Sequence, residues 1–302
     1  MYKKLFIAVL FTVSSMFSAF CQAAADAEPN TLKIMSWNIR MLPYINLFNH
    51  DGARAYKIAE RLKTSDCQII VFQEAFSNKS RRILKKELAE VFPYQYGPAN
   101  QTYVPLLTNS GLLVVSKIPL AQLDQICFSQ GKGYDHFARK GAVIFQGEYG
   151  GTTFQLLATH LQAHDADSIK KKQCEEINTK LLLPYSDIEI PQLLCGDFNI
   201  DMYDNDKYEL LLNILEARNG ELNSDIKYTF DGIENTLAKN TGGKQRLLDY
   251  ILVRNENPDL KIERKVETFF DKSGTGRSSH LSDHYALEAE IHFSNNKLFS
   301  SY

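Results

Sequence analysis

Short apolar runs that stop on a polar side chain, separated by segments with helical spacing, restrict the fold of this chain more than any other feature. "LKIMSWN" stops at Asn38, "CQIIVFQE" at Glu74, "TTFQLLATH" at His160 and "IPQLLCGDFN" at Asp197 and Asn199, while "RLLDYILV" carries Asp249 near its start. Such runs, rich in β-branched and aromatic residues, read as strands. Further strands are expected at 111–116 and 142–148, and a last alternating run follows Asp283 and His284 in "SDHYALEAEI". Between strands, apolar residues recur at helix spacing over about 53–62, 79–91, 168–183 and 207–215. The turns "YGGT", "NTGGK" and "KSGTG" separate elements without a repeat or a long linker. Strands alternating with helices predict one layered α/β domain over about residues 30–295.

The first thirty residues stand apart. "MYKKLFIAVLFTVSSMFSAFCQAAADAEPN" has two lysines, an apolar run and then small residues, the pattern of a secretory signal peptide over residues 1–24. Its apolar run, Leu5 to about Phe20, is short of the roughly 20 residues that span a bilayer. Export by a bacterial Sec route, to the periplasm or the medium, is therefore expected. Without the leader the net charge moves from −2 to about −4, a balance with no broad basic footprint for a stable nucleic-acid partner. Export also permits disulfides. Cys67 and Cys195 sit at apolar strand positions and read as buried thiols. Cys127 and Cys174 lie in polar sequence and are the better pair, with other pairings open.

A single Asn or Asp after a strand is ordinarily a turn or a helix cap, and a single His is ordinarily structural. Six such ends in one chain, drawn from Asn, Glu, Asp and His, point to chemistry. Mg2+ takes carboxylate and water oxygens, imidazole moves protons near neutral pH, and an amide binds a phosphate oxygen without adding charge.

In chain order, "SWNIR", "FQEAF", "THLQAH", "GDFNID", "LDYILV" and "LSDHYAL" resemble the motifs of the endonuclease/exonuclease/phosphatase superfamily, over about Leu32 to Ile291. The resemblance implies a four-layer α/β sandwich: two packed mixed β-sheets flanked by helices, as in deoxyribonuclease. "YDHFARKGAVIFQ", "LLATHLQAHDAD" and "NSGLLVVSKIPLAQ" are similar to the secreted bacterial neutral sphingomyelinase branch. That likeness implies a monomeric phosphodiesterase acting on sphingomyelin or a related phospholipid at a membrane surface. It implies Mg2+ as cofactor, with Mn2+ or Co2+ as alternatives, and suggests a Cys127–Cys174 disulfide. One departure is "VETFFDKSGTGRSSHLSDH", which has Phe269 and Phe270 but no Trp and is short for the membrane-inserting hairpin of haemolytic members. Strong haemolysis is not expected.

The roles follow the resemblance onto matching residues. Glu74, emerging from a buried strand, is the first metal ligand, with Asn38 fixing metal or phosphate and Asp283 facing the metal region. His284 is the general base, its other ring nitrogen held by Asp249. Asp197 orients the water and Asn199 holds a phosphate oxygen, both facing one way if the segment is extended. His160 stabilises the transition state or protonates the leaving alkoxide. Lys140 aligns Asp135 or meets phosphate, a solvated lysine being nearly as good a reading. His164 and Asp165 read as solvated loop residues. The competing readings are a secreted nuclease, another phospholipase C or a phosphoinositide phosphatase. "KSRRILKKE" is the best basic cluster for a nucleic acid, but it also fits an amphipathic helix with Ile83, Leu84 and Leu88 inward.

Overall fold

The computed structural model describes residues 31–43, 51–104, 107–238, 243–254, 260–271 and 279–293. The expected leader and the tip of the Phe270 hairpin lie outside them. In chain order the strands and helices are β1 (Thr31–Met41), α1 (Asp51–Leu62), β2 (Ile69–Ala75), α2 (Asn78–Leu88), β3 (Tyr94–Tyr96), β4 (Leu113–Ser116) and β5 (Leu120–Cys127). There follow β6 (Gly141–Tyr149), β7 (Thr152–His160), α3 (Asp167–Ile177), β8 (Gln192–Asp197), α4 (Asn205–Leu215), β9 (Ala217–Asn219), β10 (Glu221–Leu222), β11 (Phe230–Asp231) and β12 (Gln245–Arg246). The last are β13 (Asp249–Arg254), β14 (Lys261–Glu267), β15 (Phe270–Asp271), β16 (Ser279–His280) and β17 (Ala286–His292).

Two mixed sheets form, one in the order β10-β14-β17-β1-β2-β4-β3 and the other β5-β6-β7-β8-β13-β9. Because strand side chains alternate between faces, β1 sends Leu32 and Ile34 into the core between the sheets, and Met35, Trp37 and Ile39 toward the helices. In β2, Ile69 and Val71 face the other sheet while Ile70 and Phe72 face α1 and α2. Strands buried on both faces appear in sequence as unbroken apolar runs, which is why these were legible. Ala55, Ile58, Ala59 and Leu62 of α1 repeat at helical spacing and are buried. In α2, Leu84 and Leu88 are buried and Ser77 caps the first turn, accepting from Ser80 N. Cys174, Ile177, Leu211 and Leu215 cover the second sheet. The four layers expected from the resemblance are present.

Several expectations change. The helix expected over 168–183 is α3 followed by a wider turn at Asn178–Leu182, which turns Leu181 and Leu182 into the core. Strand β14 was not foreseen, because Arg264, 2% exposed, sits between buried Ile262 and Val266 on one face. Its guanidinium donates to the Gly220 carbonyl at 2.8 Å. The suggested Cys127–Cys174 disulfide is not formed: both are free thiols, with Cys174 packed in the α3 core and Cys127 half-buried at the end of β5. Phe269 packs against the core beside Trp37, with ring centroids 4.8 Å apart. Among the described residues no helix is long and apolar enough to cross a membrane.

Candidate active site

Strand direction gathers the polar ends. β1 runs parallel to β2, and β7 parallel to β8, so Asn38, Glu74, His160 and Asp197 emerge at C-terminal ends. β17, β6 and β13 run antiparallel to these neighbours, so His284, Lys140 and Asp249 stand at their N-terminal ends on the same edge. Asp197 is the centre. Register places it opposite His160 on one side and Asp249 on the other. Gly196 lets the strands close, since a methyl group there would run into the Thr159 carbonyl oxygen.

Asp197 is 1% exposed; its Oδ1 accepts from Asn199 N at 2.9 Å and its Oδ2 from Asn38 Nδ2 at 2.9 Å. Both imidazoles approach the same oxygen, His160 Nε2 at 3.6 Å and His284 Nε2 at 3.8 Å. Burial and then the neighbouring Asp249 push the Asp197 carboxyl above its usual range.

His284 sets its Nδ1 2.8 Å from Asp249 Oδ2, which fixes the ring and leaves Nε2 toward the site. Its backbone is held as well: Trp37 Nε1 donates to His284 O at 3.0 Å, and His284 N donates at 3.4 Å to Ser282 Oγ, which itself donates to Asn38 O at 2.6 Å. Burial lowers the pKa of the ring, but Asp249 and Asp197 more than reverse this and raise it to about 10. With no cation in the site, the surrounding carboxylates favour the protonated ring. Asp283, adjacent in sequence, does not pair with it: Asp283 Oδ2 meets Arg40 Nε at 3.2 Å.

Lys140 is 4% exposed and spends its three protons on Asp135 Oδ2 (2.9 Å), His160 Nε2 (3.0 Å) and Leu161 O (2.9 Å). It is neither a solvated lysine nor a free phosphate donor. Asp135 Oδ2 also accepts from Ala163 N at 2.7 Å, and Gln162 clamps Lys132 through N–H and carbonyl together. The "THLQA" run thus binds the 132–136 segment to the site. Burial, then Lys140 and His284, hold His160 neutral. With Lys140 donating to Nε2, its proton is on Nδ1, which is buried without a hydrogen-bond partner.

Asn199 departs from the extended geometry expected of it. β8 ends at Asp197, and Asn199 has φ 52°, a left-handed turn closed by the Asp197 carboxylate. Its amide donates to Leu161 O at 3.2 Å, and Lys170 Nζ donates to its carbonyl at 2.6 Å. Glu74 (φ 56°) and Arg40 (φ 46°) share the left-handed conformation at neighbouring strand ends, the kind of local strain that collects at functional sites.

The residues fit a hard dication. Glu74 is half-buried and its side chain has no hydrogen bond or ion pair among the described residues. Burial and then the nearby Asp283 carboxylate, which Arg40 offsets only in part, raise its pKa to about 7. Together with the Asn38 side chain this is an oxygen-only donor set. Asp197, Asp249 and His284 also bring ligand atoms within 4.8 Å of one another. Asp249 and His284 engage each other at 2.8 Å, so that group is committed to a hydrogen bond rather than open to an ion. His164 and Asp165 are exposed on the loop. Sequence reasoning missed Arg40, Ser282, Lys170 and Thr229, whose Oγ1 accepts from Asp249 N at 3.3 Å. All four act on backbone or on charges far away in sequence, which leaves no local signal.

Known proteins share this arrangement of the chain. The model of the Endonuclease/Exonuclease/phosphatase family matches residues 35–284. The chain is 27% identical over 289 residues to Sphingomyelinase C 2 of Leptospira interrogans serogroup Icterohaemorrhagiae serovar Lai (strain 56601), covering 85% of this chain and 45% of that protein. It is 26% identical to Sphingomyelinase C of Listeria ivanovii, covering 77% of this chain and 75% of the relative. The chain spans about half the length of the Leptospira relatives it matches. In fold it is similar to a crystallised beta toxin variant from Staphylococcus aureus with bound magnesium ions, at TM-score 0.75 and 23% identity over 85% of this chain and 98% of that one.

Proposed function

The chain belongs to the endonuclease/exonuclease/phosphatase family, and on that premise we propose that it is a secreted phosphodiesterase that hydrolyses sphingomyelin to ceramide and phosphocholine. The observation that carries the chemistry is the Asp249–His284 pair, 2.8 Å apart and aimed at the Asp197 side of the site. The lipid substrate is supported by relatives named sphingomyelinase C.

In this reading His284 Nε2 takes a proton from water as the water oxygen bonds to phosphorus and the phosphorus–ceramide oxygen bond breaks. Asp249 holds the ring and offsets its charge. Asp197 orients the attacking water, and Asn199 binds a phosphoryl oxygen. The Lys140 charge, held at His160 Nε2, lowers the cost of negative charge on the leaving oxygen; water protonates that oxygen, and the hydroxide left behind takes back the proton held by His284. Glu74, Asp283 and Asn38 would hold Mg2+, with Mn2+ or Co2+ able to substitute. A bound dication would offset charge on the phosphoryl oxygens and, by opposing the field of the carboxylates, draw the His284 pKa down from about 10.

The test is phosphocholine release from sphingomyelin in mixed micelles with Mg2+ or EDTA, with phosphatidylcholine and plasmid DNA in parallel. Metal-dependent release with intact DNA is expected. Nicked DNA with untouched lipid would leave the family assignment standing and overturn the substrate.

A further inference from the structure

Two surface features that the chemistry does not use attach to adjacent residues. The first is a pair of loops with exposed apolar tips. Tyr103 is 93% exposed, Val104 56%, Tyr134 84% and Phe137 49%. The loops are tied together: Thr108 N donates to Phe137 O at 2.9 Å, and Arg139 N donates to Thr108 O at 3.3 Å. Folding has left four large apolar side chains in water where a polar residue costs nothing, although the same short segment buries Lys140 and pins Asp135.

The second feature is a surface cleft of about 420 Å³ lined by Asn78, Arg81, Arg82 and Lys85. Helix α2, "NKSRRILKKEL", carries five basic side chains and one carboxylate, Glu87, which is already paired with Lys63. Arg81 is 6% exposed, and its guanidinium reaches only neutral oxygens: Ala75 O (2.5 Å), Phe76 O (2.6 Å), Asn109 Oδ1 (3.5 Å) and Asn78 Oδ1. Among the described residues Arg81, Arg82 and Lys85 pair with no carboxylate. A desolvated cation without a counter-ion is costly, and burial lowers the pKa of both Arg81 and Lys85.

Thr108, which holds the aromatic loop, and Asn109, which touches Arg81, are consecutive, with Cα atoms about 3.8 Å apart. The same segment reaches the catalytic edge twice. Gly111 O accepts from Ala75 N, next to Glu74, and the aromatic loop carries Asp135, the partner of Lys140. We propose that the aromatic loops and the basic cleft of α2 form one docking face for bilayers containing anionic phospholipid, with the cleft receiving lipid phosphate and the aromatic tips entering the interface. The proposal rests on the lipid reading of the site and goes beyond it. Tyrosine partitions to the headgroup level, and basic side chains near an anionic surface add attraction that salt screens. Charge complementarity selects the occupant: a neutral bilayer would leave the cleft unanswered.

The test uses the full chain with His284→Ala, so that bound lipid is not consumed. Sedimentation is measured with phosphatidylcholine vesicles and with vesicles that also contain phosphatidylglycerol, at low and high salt. Binding is expected to be stronger with phosphatidylglycerol and to fall at high salt. Arg82→Glu with Lys85→Glu should weaken it by roughly tenfold or more, and Tyr103→Ser with Val104→Ser should weaken binding to both vesicles. In the active background, the same substitutions should leave hydrolysis of a short-chain, monomeric substrate unchanged. Unaltered sedimentation in both folded double variants would overturn the proposal. So would loss of plasmid-DNA retention, but not of vesicle binding, in the charge-reversal variant, because the cleft would then serve a nucleic acid. Binding that follows the expected pattern in a protein with no sphingomyelin hydrolysis would sink the catalytic reading and leave the face standing.

Discussion

Replacing Lys140 with Met tests whether this lysine braces the site or merely lies near it. Met keeps most of the apolar stem but removes three donated protons. Three acceptors then lose their partner: Asp135 Oδ2, His160 Nε2 and Leu161 O. His160 is 1% exposed, so water does not replace the lost bond there. Breaking a buried pair by removing one partner costs about 3–5 kcal/mol. Asp135 keeps its bond from Ala163 N and is 16% exposed, which puts the cost at the low end, about 3 kcal/mol. With a urea dependence of about 1–3 kcal/mol per molar, the unfolding midpoint should fall by roughly 1–3 M at unchanged slope. The His160 pKa should rise, because burial and then Lys140 hold it down; the ring proton resonances report this directly. Turnover should drop about a hundredfold as the 132–136 segment loosens from the site. A midpoint within about 0.2 M of wild type, too small a change for a loss of that size, would show that water serves all three acceptors and would refute the reasoning.

Other outcomes follow from the same geometry. Asp249→Asn keeps the shape at His284 Nδ1 but removes the charge that most raises the ring pKa; turnover should fall by about 10²–10⁴-fold and the ring should titrate lower, as followed by NMR. Gly196→Ala forces a methyl group against Thr159 O between β7 and β8 and should cost about 1–3 kcal/mol in chemical denaturation, with turnover falling alongside. The pH dependence has a worked sign. Glu74 titrates near 7 in the fold against 4.5 unfolded, and His284 near 10 against 6.5. Both are raised, so their contributions are full below the unfolded values and are lost as pH rises through the folded ones. Protein in EDTA should therefore lose melting temperature from about pH 4.5 to about 10, and Mg2+ should restore most at the alkaline end. The single tryptophan, Trp37, bonds to the His284 carbonyl, so its fluorescence should shift as Mg2+ binds.

The strand ends were legible because β1, β2, β7 and β8 are buried on both faces and appear as apolar runs whose first polar residue must lie at an edge. What the runs could not reveal was direction. Parallel β1–β2 and β7–β8 with antiparallel β6, β13 and β17 bring seven ends together, and nothing local encodes that. The Asp249–His284 pair, 35 residues apart, came from family resemblance. Lys140 looked ambiguous because its three acceptors lie elsewhere in the chain, two of them in "THLQ". Asn199 was given the right neighbourhood for the wrong reason: a left-handed turn capped by Asp197, not an extended strand, brings it there. Lys170 was invisible, since a helical lysine reads as solvated unless one knows that a strained carbonyl waits beneath it. "KSRRILKKE" does form the amphipathic helix expected, with Leu84 and Leu88 buried and Ile83 packed against them. That period says nothing of the cleft its basic side chains line.

The most direct measurement of the central claim compares phosphocholine release from sphingomyelin by wild type and by His284→Ala, in Mg2+, with folding matched by circular dichroism. The account expects release by wild type, abolished in EDTA, and a loss of at least about 10²-fold in the folded variant. Wild-type turnover by His284→Ala would contradict the account, because the Asp249–His284 pair would then not be the group that activates water.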